Sequence, residues 1–178
     1  MLPTLWSLGP DVVVQAGTFS KSFFPGIRLG WAAGPAQVVA ELIAAKGNTD
    51  QCAGALGQML LERYGRGGGF ERHLPAARAL YASHWAALSG ALEREMPDGV
   101  TWSEPTGGFL TWVTLPDGMD ADALRADALA AGVAYVPGRP FFADGGGARS
   151  LRLSFSHLDE AELEAAVERL AGVVRGAA

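Results

Sequence analysis

The sequence predicts an α/β fold in unequal parts: an open front segment, one long helix, and a compact α+β lobe of about four strands and two helices. Three observations carry this. Short apolar runs bounded by glycine and proline mark strands along the chain, at 11–16, 27–33, 100–103, 109–115, 133–136 and 151–155. One amphipathic stretch, roughly 70–96, is far longer than the others. The front carries too few strands to close a sheet with both faces covered, whereas the segment after Gly99 has enough.

The elements follow in order. Asp11-Val-Val-Val-Gln-Ala16 reads as a short buried strand, and a loop punctuated by Gly17 and Pro25-Gly26 leads to a second strand over 27–33. Gly34-Pro35 stops that strand. Val38, Val39, Leu42 and Ile43 then keep a helical period over 36–46, and Leu56, Met59, Leu60 and Tyr64 do so over 50–64. After Arg66-Gly-Gly-Gly69, the long helix puts Leu74, Ala77, Tyr81, Trp85 or His84, Leu88 and Leu92 on one face, with Pro75 expected in its first turn. Pro97-Asp-Gly99 ends it. Strands at 100–103 and 109–115 flank the Pro105-Thr-Gly-Gly108 turn, a helix covers 120–131, and strands follow at 133–136 and 151–155. Ser156-His-Leu-Asp159 is expected to form a capping box for the last helix, whose core face is Leu163, Ala166, Val167, Leu170 and Val174. Trp112 and Phe109 are expected to pack in the core, and Arg139 with Gly145–Gly147 reads as a flap or a disordered loop.

Composition narrows the function. The 178 residues are 49% hydrophobic and 19% charged with a net charge of -5, which excludes disorder as the main state and argues against a dedicated nucleic-acid binder. Cys52 is the only cysteine, so neither a disulfide framework nor a cysteine zinc cage can form, and His73, His84 and His157 lack metal-ligand spacing. No apolar run reaches the ~18 residues of a membrane helix. The first residues lack the charged start of a signal peptide, making the cytoplasm the expected location. Of the fourteen basic residues only Lys21 and Lys46 are lysines; a bias toward arginine explains this, but a surviving lysine invites a search for amine chemistry.

Gly17-Thr-Phe-Ser-Lys-Ser-Phe-Phe-Pro-Gly-Ile-Arg-Leu-Gly-Trp31 supplies such chemistry. Hydroxyls at Thr18 and Ser20, loop N–H groups and the Arg28 guanidinium can together hold phosphate oxygens. Lys21 can form a Schiff base once its amine is deprotonated. On residue types alone, a hairpin loop with solvated polar side chains is the favoured reading. Arg152, in Ser150-Leu-Arg-Leu-Ser-Phe-Ser156, can grip a carboxylate or simply face solvent from a strand.

The loop resembles the cofactor-lysine motif of fold-type I, class I/II aminotransferases, which depend on pyridoxal 5′-phosphate (PLP). In that motif a hydroxyl-x-Ser-Lys run precedes a Pro-Gly turn and Arg-x-Gly. The resemblance implies that Lys21 is the covalent anchor of PLP and the catalytic base. It makes Thr18, Ser20 and Arg28 the phosphate ligands, with Thr18 in place of the commoner serine, and Arg152 the residue that binds the substrate α-carboxylate. Pro105-Thr-Gly-Gly-Phe-Leu-Thr-Trp112 and Val136-Pro-Gly-Arg-Pro-Phe-Phe142 resemble further landmarks, and their order is most similar to the 2-aminoadipate/kynurenine aminotransferase-like group.

The implied organisation is a C-terminal part of the PLP-binding large domain (1–65), a linking helix (66–98) and a small α+β domain (99–178). The family's aspartate for the pyridine nitrogen, its stacking aromatic and its glycine-containing cofactor loop have no counterpart after Lys21, and Asp11 is no substitute. The chain therefore reads as a truncated aminotransferase whose cofactor site is incomplete. A homodimer acting on amino acids and 2-oxo acids is implied for the full-length protein. The alternatives are the aminotransferase-like effector domain of a winged-helix transcription regulator and a non-catalytic remnant.

Overall fold

In the computed structural model, which describes residues 3–177, the first strand starts later than its apolar run. The Val12 and Val13 N–H groups both donate to the Gly9 carbonyl, making a turn of residues expected to be extended. Helix α1 (Leu5–Leu8), capped by the Thr4 hydroxyl, precedes that turn. Strand β1 (Gln15–Thr18) pairs antiparallel with β2 (Gly30–Ala33), placing Gly17 opposite Trp31 and Thr18 opposite Gly30. Both glycines are required by close approach. A Cβ on Gly17 would fall 2.4 Å from the Trp31 ring, and one on Gly30 would fall 2.7 Å from the Gly17 carbonyl oxygen.

Helix α2 (Ala36–Thr49) starts directly after Gly34-Pro35, as the proline stop suggested, and runs three residues further than its apolar period. Lys46 and Asp50 close its end with an i,i+4 ion pair at 2.7 Å. Helix α3 (Ala55–Arg66) begins five residues later than expected. Helix α4 (Gly69–Glu95) follows, and Pro75 lies well inside it rather than in the first turn. The bond lost there is the one Glu71 would have accepted. Aromatic rings hold the ends of these elements together: Phe23 lies 4.6 Å from Tyr64, Tyr64 stands edge-on to Phe70 at 5.2 Å, and Phe19 is 6.2 Å from Phe70.

The chain divides into two compact units between Ala76 and Ala77, inside α4. In the second unit α4 buries His84, Leu88, Ala91 and Leu92. Strands β3 (Thr101–Trp102), β4 (Leu110–Thr114), β5 (Val136–Pro137) and β6 (Ser150–Ser154) form a sheet in the order β3-β4-β6-β5, every pair antiparallel. Four strands and two further helices, α5 (Arg125–Ala130) and α6 (Glu160–Gly176), match the expected composition of this lobe. Val113, Leu115, Leu151, Phe155, Leu163, Val167, Leu170 and Val174 make its core, with Phe109 packed against the edge.

Four expectations are corrected here. Trp112 is not a core residue, because Thr111 and Val113 point inward on β4 and the pleat sends Trp112 to the opposite face. Helix α5 is shorter than 120–131, because the Asp120 carboxylate accepts the Asp122 N–H at 2.8 Å and holds 120–124 as a separate turn. Strand β5 begins at Val136 and is only two residues long, Pro137 having no N–H to extend the ladder. The capping box is formed by Asp159 with Glu162, not by Ser156 with Asp159: the Asp159 carboxylate accepts the Glu162 N–H at 2.9 Å, and Glu162 accepts the Asp159 N–H at 3.0 Å.

Candidate active site

The loop between β1 and β2 is built by local hydrogen bonds. The Phe19 N–H donates to the Leu29 carbonyl at 3.1 Å, extending the two-stranded ladder by one rung. Residues 19–23 then fold into a turn closed by Phe23 N–H on the Phe19 carbonyl at 2.9 Å. Pro25–Ile27 form a single 3-10 turn that delivers Arg28.

Three of the sequence-predicted residues meet here. The Thr18 hydroxyl donates to Ser20 Oγ at 3.0 Å, with the Leu29 carbonyl 3.4 Å away as an alternative acceptor. The same hydroxyl oxygen accepts the Ser20 N–H at 3.1 Å. Arg28 Nη1 reaches Ser20 Oγ at 3.5 Å and the Pro25 carbonyl at 3.3 Å. Arg28 also has a left-handed backbone, with φ of 50°, which few non-glycine residues adopt and which is associated with functional positions. Lys21 sits exposed in the 19–23 turn, next in sequence to Ser20. An open recess of about 490 Å³, lined by Phe19, Leu29, Gly30, Lys46, Cys52 and Gln58, adjoins this loop without including its hydroxyls or Lys21.

Arg152 belongs to the second unit, in the middle of β6. It pairs with Trp112 on β4 and Val136 on β5, on the sheet face opposite the core residues Leu151 and Leu153. Its guanidinium carbon lies 4.8 Å from the centre of the Phe141 ring. Phe141 in turn meets Trp112 edge-on at 5.2 Å, and Phe142 lies 6.4 Å from the same indole.

Arg139, expected in a flap or disordered loop, is tied to two carboxylates. It donates to Asp120 at 2.6 Å and pairs with Asp122 at 3.2 Å. The hydrogen bond from Arg139, followed by the Asp122 N–H, holds the Asp120 carboxyl below its ordinary range, and Asp120 raises Arg139 in return. Periodicity could not reveal these partners, which lie 17 and 19 residues upstream of Arg139; the clustering of Asp120 and Asp122 ahead of a Gly/Pro loop was the only cue. Gly17 and Gly30 were also missed, although glycines at both mouths of a loop suggest tight strand approach.

Comparison with known proteins adds an independent line. The family model described as aminotransferase class I and II matches residues 4–170. Aromatic-amino-acid aminotransferase 1 of Thermococcus litoralis is 38% identical over 92% of this chain and 39% of its own length. The 2-aminoadipate transaminase of Thermus thermophilus is 37% identical over 98% of this chain and 45% of its own. The crystal structure of α-aminoadipate aminotransferase from Thermus thermophilus, complexed with N-(5′-phosphopyridoxyl)-L-leucine, superposes with a TM-score of 0.93 at 37% identity, covering 98% of this chain and 46% of that one. The chain thus spans less than half the length of these relatives. A match running over almost every residue at this identity leaves one conclusion about kinship: the chain belongs to the class I and II aminotransferase family.

Proposed function

We propose that the protein is a PLP-dependent aminotransferase that moves an amino group between an amino acid and a 2-oxo acid, with Lys21 as covalent anchor and proton carrier. The observation that carries this reading is the meeting of Thr18, Ser20 and Arg28 in the loop that bears Lys21. That donor set fits a phosphate dianion: two hydroxyls, a nearby loop N–H and one guanidinium sit within 3.5 Å of a neighbour in the set. When bound, PLP supplies an electron-withdrawing ring that stabilises negative charge on the substrate Cα.

The chain's own residues do the rest. Thr18, Ser20 and Arg28 hold the cofactor phosphate and so fix its distance from the 19–23 turn. Lys21 Nζ would hold PLP covalently and, as an amine, would carry the proton taken from the substrate Cα. Arg152 binds the substrate carboxylate through its planar fork, which sets the amino group toward the reaction. Residues 1–65 serve as part of the cofactor domain, 66–98 as the linking helix and 99–178 as the small domain. A homodimeric, cytoplasmic enzyme of amino-acid metabolism is proposed on family kinship alone.

Only two lysines compete for the cofactor, which makes the test clean. Treating the chain with PLP and borohydride, followed by peptide mapping, is expected to place a stable pyridoxyl label on Lys21 and to lose it in Lys21→Ala. Labelling that persists undiminished in Lys21→Ala, at Lys46, sinks the assignment.

A further inference from the structure

The face of the second unit's sheet opposite its core carries an aromatic and ionic arrangement that the cofactor chemistry does not use. Trp112, Arg152 and Val136 form one row across β4, β6 and β5. The Arg152 guanidinium carbon lies over the Phe141 ring, 4.8 Å from its centre, and the Trp112 indole braces Phe141 at 82° and 5.2 Å. A guanidinium held over a ring by cation–π attraction loses no N–H donor to that contact, so its fork can still meet a carboxylate. An uncovered arginine at a half-buried position would sample several rotamers and orient a carboxylate less sharply.

Phe141 is itself held in place. It ends the short 3-10 turn Arg139–Phe141, whose start is fixed by Gly138 N–H on the Ser150 carbonyl at 2.7 Å. Gly138 cannot be replaced there, since a Cβ would fall 2.6 Å from Ser150 Cβ and 2.7 Å from the Gly147 carbonyl oxygen. Arg139 clamps the other side of the turn to Asp120 at 2.6 Å and Asp122 at 3.2 Å, and Asp120 is fixed by accepting the Asp122 N–H.

We infer that Phe141 is a positioning residue for Arg152, setting the plane in which the guanidinium meets the substrate carboxylate, and that the Arg139–Asp120–Asp122 clamp holds Phe141 in that position. The inference rests on the reading of Arg152 as the carboxylate ligand. It makes carboxylate recognition depend on Phe141, a residue that need not touch the substrate's carboxylate at all.

The test uses the full chain with PLP present and L-phenylalanine as probe, read by NMR at the arginine Nε–H groups. Arg152→Gln identifies the Arg152 signal by its disappearance. Phe141→Leu is expected to move that signal by removing the ring current, and to weaken phenylalanine binding about three- to tenfold. Phe141→Tyr keeps the ring and is expected to keep both signal and affinity. Arg139→Gln is expected to shift the signal part of the way. Phe141 is 48% exposed, so these variants are expected to melt with the parent chain, which circular dichroism checks. If Arg152→Gln weakens binding but Phe141→Leu changes neither signal nor affinity, the positioning role is overturned and the Arg152 reading stands. If Arg152→Gln leaves binding unchanged, both fall.

Discussion

The two units are stabilised differently. In the first, Leu29 is the one hydrophobic side chain that is buried among the described residues, while Val12, Leu5 and Leu56 are 84%, 75% and 73% exposed. In the second, Leu92, Val113, Leu151, Phe155 and Val174 are almost wholly enclosed. The lysine loop is therefore shaped by a four-rung ladder, two obligatory glycines and a cluster of aromatic rings, with little burial behind it. Arg152 instead stands on a sheet with a packed core underneath. Anion-binding geometry can be set by local hydrogen bonds, whereas an arginine that must hold one plane benefits from a rigid floor.

Hydrogen exchange tests this contrast most severely. Amides of Val113 and Leu151 are expected to exchange far more slowly than those of the ladder between β1 and β2. Phe155→Ala should erase most of that gap. The ring is 2% exposed and lies against Trp85, and the backbone accepts from His84 Nδ1 at 2.8 Å, so truncation should cost the second unit about 3–5 kcal/mol. Unchanged exchange in the variant would show that the core contributes less than its burial suggests.

A smaller effect comes from Tyr135. Burial, aided by the Asp122 carboxylate, pushes its phenol up to about 12 from 10.0, and its hydroxyl donates to the Ala121 carbonyl at 2.6 Å. Because the folded value is the higher one, the stabilisation is fully present below pH 10 and is lost as pH rises toward 12. The expected loss is about 2–3 kcal/mol, read as a falling urea midpoint across that window. Tyr135→Phe should remove that component of the pH dependence; an identical slope in the variant would assign it to other groups.

The smallest effect is expected from Asp159→Ala. Removing the reciprocal cap of α6 should destabilise the second unit by about 1 kcal/mol, with no change in PLP labelling of Lys21. A loss well beyond that would mean that α6 packing depends on the cap.

Much of the fold was legible because its signals are local. Gly34-Pro35 announced the start of α2, Pro97-Asp-Gly99 the end of α4, and the alternation in Leu151-Arg-Leu153 the two faces of β6. That Thr18, Ser20 and Arg28 could meet was readable for the same reason, since one short loop carries all three, whereas a role for Lys21 came only from the family resemblance. Competition between local options was not legible. Ser156 and Asp159 both offered a cap, and only the reciprocal bond with Glu162 decides between them. Nor did an aromatic residue in an apolar strand reveal its side: Trp112 faces Phe141 because Val113 claims the core. The Arg139 clamp spans 19 residues and depends on two loops meeting, which no period encodes.

Arg28 has a consequence for how such a protein can change over generations. Its guanidinium reaches Ser20 Oγ at 3.5 Å, while its backbone, with φ of 50°, occupies a conformation that glycine adopts without steric penalty. With Arg28 in its proposed role of phosphate ligand, backbone strain and anion affinity pull position 28 in opposite directions. On that proposal, a lineage freed from phosphate binding is expected to drift there toward glycine or asparagine, so that this one residue would record whether selection for the anion site is still in force.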